Sequence, residues 1–220
     1  MATLVSLLLT GCDAASGGVA DGLNVKPPPQ ASAMAVSGRL TKAALAGQQV
    51  EGFVVTAVPA AEAAGRREVK ASRDVCAPAG HVLSTTVVGN PTSTVVRRVS
   101  NGRAVVTVVL AEYDEGKSAQ SALDVLAAAI DECADGFTAA VDDERRTYSR
   151  LVPELAPEGA DQAMAWGAVV ERDGVKAPVK AVVFRKGATV GYLTAVPEGS
   201  ALKDFSVPDA VVDAQLAKLS

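Results

Sequence analysis

The chain has 220 residues, of which 49% are hydrophobic but only 4% aromatic, and its formal net charge at neutral pH is -4. That length supports one domain with a sizeable core, packed mainly by alanine and valine. The acidic balance is dispersed and offers no basic footprint for a phosphate backbone, so nucleic acid is not an expected partner.

Residues 4–12, LVSLLLTGC, are an apolar run well short of the roughly 20 residues that a bilayer-spanning helix requires. Its length suits the core of a secretory signal, and Leu9-Thr10-Gly11-Cys12 resembles the bacterial lipobox. The resemblance implies that residues 1–11 are a signal peptide and that Cys12, alkylated with a diacylglycerol, becomes the first residue of the mature protein. Its acyl chains supply the membrane affinity, at about 0.8 kcal/mol per buried methylene. No lysine or arginine precedes Lys26, so the basic segment that opens such signals is expected upstream of Met1. The alternative is an accidental apolar N-terminus on a cytosolic protein.

Residues 12–36 are rich in glycine, alanine and serine, include Pro27-Pro28-Pro29 and have no periodic apolar face to offset their ordering entropy. They are expected to form a flexible tether that holds the domain on the order of 25 Å from the headgroups. The expected location is the extracytoplasmic face of the cell membrane, with the membrane a partner through the lipid anchor.

Residues 37–220 are expected to form a single domain. Residues 37–47 read as a short capped helix and 50–58 as a short strand, followed from Pro59 to Arg73 by a loop or weak helix. Cys76 through Val88 reads as a helix, against the β-branched run Thr85, Thr86, Val87 and Val88. Two β-branched runs flank Asn101-Gly102, predicting that 94–100 and 103–112 pair antiparallel across a tight turn. Ser118 is expected to cap a helix with Ala119, Ala122, Leu123, Leu126, Ile130 and Cys133 on one stripe and Gly136 past its end.

ERRTYSRLV, residues 144–152, precedes three further candidate strands near 163–171, 175–184 and 188–196. Turn signals at Asp173-Gly174 and Lys186-Gly187 make these an antiparallel meander. In the middle strand Val175, Ala177, Val179, Ala181 and Val183 alternate with Lys176, Pro178 and Lys180, predicting one buried and one partly wet face, with an edge or bulge at Pro178. A last helix is expected to begin with Pro208 in its first turn and to dock through Val211, Val212, Leu216 and Leu219. The whole predicts an α+β fold with one mainly antiparallel sheet and helices packed on it.

With Cys12 assigned to lipid, Cys76 and Cys133 are an even pair in an oxidising compartment, and a disulfide is expected. The alternative is two independent buried thiols. His81 is the sole histidine; it lies one helical turn from Ser84, but no third orienting group and no G-x-S-x-G elbow accompany them. A surface or capping role for His81 is expected. No His/Cys/Asp cluster has metal spacing, and neither a P-loop nor a G-x-G-x-x-G fingerprint is present, so no metal and no cofactor are expected. DDERR, residues 142–146, lacks the frame of a calcium loop and reads as a solvated turn between helix and strand. Asp131, Glu132 and Asp135 read as adjacent surface acids without a facing carboxylate. Trp166 and Tyr192 are the candidates to line a ligand-binding groove, core packing being the competing role.

A lipobox, a low-complexity tether, a cysteine before a hairpin and then VLAEYDEGKSAQSALDVLAAAIDECADGF ahead of a meander resemble actinobacterial lipoproteins with the PknH-type sensor domain, over residues 37–220. In that family a strand ending in tyrosine leads into a helix that closes on a cysteine, which Tyr113 and Cys133 match. Its kinase receptors usually carry two disulfides, whereas this mature chain can make one. The resemblance implies a non-catalytic sensing module outside the membrane that binds a small ligand or a cell-envelope partner. The competing expectation is a lipid or glycolipid carrier with an enclosed apolar cavity; a cell-wall hydrolase would need a facing catalytic group that the sequence does not supply.

Overall fold

The computed structural model describes residues 38–59, 68–198 and 205–219. The expected signal peptide, Cys12, the expected tether and most of the loop expected between Pro59 and Arg73 lie outside the described residues. In chain order the elements are α1 (Gly38–Ala43), β1 (Val54–Ala57), β2 (Val69–Ala71), a 3-10 turn (Asp74–Cys76) and α2 (Ala77–Leu83). The hairpin β3 (Ser93–Ser100) and β4 (Ala104–Glu112) leads into α3 (Gly116–Glu132). Then follow β5 (Phe137–Val141), β6 (Glu144–Tyr148), β7 (Val152–Glu154), β8 (Gln162–Arg172), β9 (Val175–Lys186), β10 (Thr189–Pro197) and α4 (Asp209–Ala217).

All ten strands of the described residues belong to one antiparallel sheet in the order β1-β3-β4-β10-β9-β8-β6-β5-β2, with β7 paired to β8. Successive strand residues point to opposite faces, and here each face has its own core. Val190 and Tyr192 of β10 pack with α2 and α3, around Leu123, Leu126 and Trp166. Leu193 and Ala195 pack instead with α1 and α4, around Leu40, Phe184 and Val211. The fold is therefore α+β, as expected, and the double covering explains why β10 is buried almost residue by residue. The wet face expected for β9 is confined to its first half, where Lys176 is exposed and Pro178 half-buried. Pro178 lies beyond the last β10 pairing, Ala195 with Lys180, so this part of an otherwise central strand is an edge on that side.

Several boundaries differ from expectation. The hairpin at Asn101-Gly102 closes at Ser100 and Val105, leaving four residues between. Only Gly102 takes a positive φ there, while the Asn101 side-chain oxygen accepts hydrogen bonds from the amides of Arg103 and Ala104, a local turn that competes with the two-residue form. Two-residue turns with both φ angles positive occur at Asp142-Asp143 and Asp173-Gly174. The first joins two strands, because β5 occupies what reads as the end of a helix-to-strand connection. Helix α3 starts at Gly116 after Glu115, with no side-chain cap, so Ser118 falls inside its first turn instead of capping it. Pro208 is the N-cap of α4 and not its first helical residue.

Helix α2 stops at Leu83, short of the expected Val88. It is closed by bonds from the Thr85 amide to the Val82 carbonyl and from the Thr86 amide to the His81 carbonyl, both 2.9 Å. This is the pairing of a Schellman motif, with Thr85 in the left-handed position at φ 60°. Cys76 and Cys133 are disulfide-bonded with Cα atoms 5.8 Å apart, joining the turn ahead of α2 to the end of α3 across 57 residues.

Candidate functional site

On the α2 and α3 face the helices leave part of the sheet uncovered beyond the C-terminus of α2, and a groove of about 560 Å³ lies there. Its floor comes from Thr107 of β4, Thr194 of β10, Ala177 and Val179 of β9 and Val170 of β8. The hydrogen-bonded ladder between these four strands fixes the floor, which is apolar apart from the two threonine hydroxyls. Val175 and Val196 lie at its exposed mouth.

Leu83, Ser84 and Thr85 form one lip. The Thr194 hydroxyl donates to the Val82 carbonyl at 3.1 Å, and the Ser84 and Tyr148 hydroxyls pair at 3.0 Å, both in buried surroundings. These contacts fix this end of the helix to the sheet, while the disulfide ties its opposite end to α3. Thr85 is exposed at the lip. A β-branched residue with positive φ is a strained exception, so the lip stores a local cost of about 1–2 kcal/mol.

Arg146 of β6 and Arg172 of β8 form the opposite wall. The β6–β8 register pairs Thr147 with Glu171 and Tyr148 with Val170; one step further it sets Arg146 across from Arg172. Like charges directly opposite on neighbouring strands repel. Glu144 lies between them: one carboxylate oxygen accepts from Nε and Nη2 of Arg146 at 3.3 and 2.8 Å, and the other lies 3.3 Å from Nε of Arg172. The Arg146 side chain is only 14% exposed, that of Arg172 58%. Asp173 also lines the groove.

The two aromatic candidates are elsewhere. Trp166 and Tyr192 are 0% and 2% exposed, within the α2 and α3 core, and neither belongs to the groove lining. The Tyr192 hydroxyl meets that of Tyr113 at 2.7 Å, and Tyr113 donates onward to the Val88 carbonyl. Burial raises the Tyr192 phenol well above its usual pKa, with neighbouring Tyr113 adding to the shift. His81 is half-buried on α2, and the Ser84 hydroxyl is engaged by Tyr148. Among the described residues no group of three or more His, Cys, Asp or Glu could hold a metal ion, and no helix is long and apolar enough to cross a membrane.

The groove residues carry no sequence motif. Arg146 belongs to the run that reads as a solvated turn, and Thr107 and Thr194 look like ordinary strand residues. The usable signal was the β-branched run after Ser84, which disfavours continuing α2 over this part of the sheet.

No family model and no curated protein matches this sequence. Among solved structures, the extracellular domain of PknH from Mycobacterium tuberculosis superposes with a TM-score of 0.50 at 12% identity, covering 82% of this chain and 92% of that one. An uncharacterised protein of Mycobacterium smegmatis, the Rv0999 ortholog, gives a TM-score of 0.41 at 14% identity, covering 77% and 90%. The first comparison establishes a shared fold.

Proposed function

We propose that the chain is a lipid-anchored, extracytoplasmic, sensor-like module that binds a small ligand or an envelope partner in the groove beside α2 and performs no catalysis. The observation that carries this reading is the groove itself, an apolar floor on a hydrogen-bonded four-strand platform facing a fixed helix end and two arginines. Sites for small ligands commonly combine an apolar surface with a few placed polar groups. Two further observations support the location. The fold is shared with a domain that is extracellular in PknH, and the disulfide suits an oxidising compartment. The anchor at Cys12 rests on the lipobox resemblance. Trp166 and Tyr192 would serve this site from the side, as packing in the core between the same sheet face and α2 and α3. A carrier would need an enclosed apolar hollow, whereas guanidinium and hydroxyl groups line this groove.

Two experiments test the proposal. Metabolic labelling with a fatty-acid analogue is expected to mark the wild type and not Cys12→Ser; equal labelling refutes the anchor. Amide spectra of the full chain titrated with octyl glucoside, octanol and octyl phosphate are expected to shift at Thr107, Val179 and Thr194. Ala177→Trp, which fills the half-buried groove floor, is expected to abolish those shifts. Shifts spread over the surface, or unaffected by Ala177→Trp, contradict the groove as the binding site.

A further inference from the structure

We infer that the groove takes a small amphiphile whose anionic head, a carboxylate or phosphate, is bound by Arg146 and Arg172 while its apolar body lies along the floor. The inference rests on the groove being a binding site and adds the chemical class of its ligand.

The arginine wall supplies the first argument. Two guanidiniums stand side by side across β6 and β8 and share the Glu144 carboxylate. Asp173, beyond them in the turn, forms no ion pair with either arginine among the described residues. With Asp173 counted the wall has two positive and two negative charges, yet the guanidiniums share the Glu144 carboxylate alone and keep donors that a second anion can engage.

The geometry of Arg146 supplies the second. Glu144 engages its Nε and Nη2, so the guanidinium plane is held by its inner edge. Nη1 makes no hydrogen bond among the described residues. Both Nη atoms of Arg172 are likewise left over by its single contact through Nε. The side chain of Arg146 is largely buried, so this donor is already oriented and partly desolvated before a ligand arrives. Preorganised guanidinium groups of this kind suit the planar or tetrahedral oxygens of carboxylates and phosphates.

The floor supplies the third. Val170, Ala177 and Val179 continue from the arginine wall toward the lip, and Val175 and Val196 extend the apolar surface to the mouth. Val175 is 68% exposed and Val196 39%, a cost that covering by a hydrocarbon body would remove. An inorganic anion alone would leave that surface wet, and a neutral hydrocarbon would leave the arginine donors unused.

Calorimetric titration of the full chain with octyl phosphate, octanol and inorganic phosphate, the amphiphiles kept below their micelle-forming concentrations, tests this directly. Octyl phosphate is expected to bind at least about tenfold more tightly than either of the others, the scale of one charge-assisted hydrogen bond. Arg146→Gln with Arg172→Gln is expected to reduce it to the level of octanol. Equal binding of octanol and octyl phosphate, unaltered by the arginine substitutions but lost in Ala177→Trp, overturns the anionic head and leaves the groove reading intact. Inorganic phosphate binding as tightly as octyl phosphate overturns the apolar body. Binding of all three that survives Ala177→Trp overturns the groove reading as well.

Discussion

The hydroxyl of Thr194 donates to the carbonyl of Val82 at 3.1 Å, a buried bond between residues 112 apart that ties the groove floor to its lip. Val82 also receives the Thr85 amide, so the same carbonyl closes α2 and docks it on the sheet. Thr194→Val keeps the shape and removes the donor. It is expected to lower stability by about 1 kcal/mol, the net worth of a buried hydrogen bond whose acceptor retains one partner. Hydrogen exchange at Ser84, Thr85 and Thr86 should rise at the same time. Unaltered exchange there would show that the lip is held without this bond.

Thr85 takes a conformation that glycine adopts without strain. Thr85→Gly relieves the left-handed penalty but makes the unfolded chain more flexible, and the two terms leave an expected gain of about 0.5–1 kcal/mol. Urea denaturation should show a higher midpoint with an unchanged slope. A lower midpoint would mean that the threonine side chain contributes more at the lip than its backbone strain costs.

The disulfide joins the start of α2 to the end of α3. Replacing Cys76 and Cys133 together by serine is expected to destabilise the fold by about 4 kcal/mol on the loop-entropy model. The denatured, unreduced protein should show no reactive thiol at either position. Finding both free would remove the pairing and the oxidising compartment it supports.

Tyr192 makes stability depend on alkaline pH. Its phenol titrates higher in the folded than in the unfolded chain, so the folded state retains the proton longer. Stability from this group is therefore fully present below the unfolded value, about 10, and is lost above it at about 1.4 kcal/mol per pH unit until the folded phenol ionises. Denaturation midpoints should stay level toward pH 9 and fall beyond pH 10, as far as Tyr192 is concerned. Tyr192→Phe should flatten the fall; an identical decline in the variant would assign it to other groups.

The meander was legible because β9 alternates apolar residues with Lys176, Pro178 and Lys180 and the turns carry Asp173-Gly174 and Gly187, which adopt positive φ. The buried stripe of α3 was legible for the same reason, through Ala119, Leu123 and Leu126 at helical spacing. β5 escaped notice because FTAAV is short and follows directly on Gly136, which ends a helix. Double burial of the sheet was also obscured, since a strand with both faces in a core loses the alternation that marks one. The groove was illegible for a different reason. Arg146 and Arg172 become neighbours only through the pairing of β6 with β8, and each alone reads as a solvated charge.

The most direct measurement is a crystal structure of the full chain grown with octyl phosphate. Ligand density is expected between Thr85 and Arg146, over Val179, with the head within hydrogen-bonding distance of Arg146 Nη1. Density at another place on the surface, with the groove holding only solvent, would contradict the assignment of this groove as the binding site.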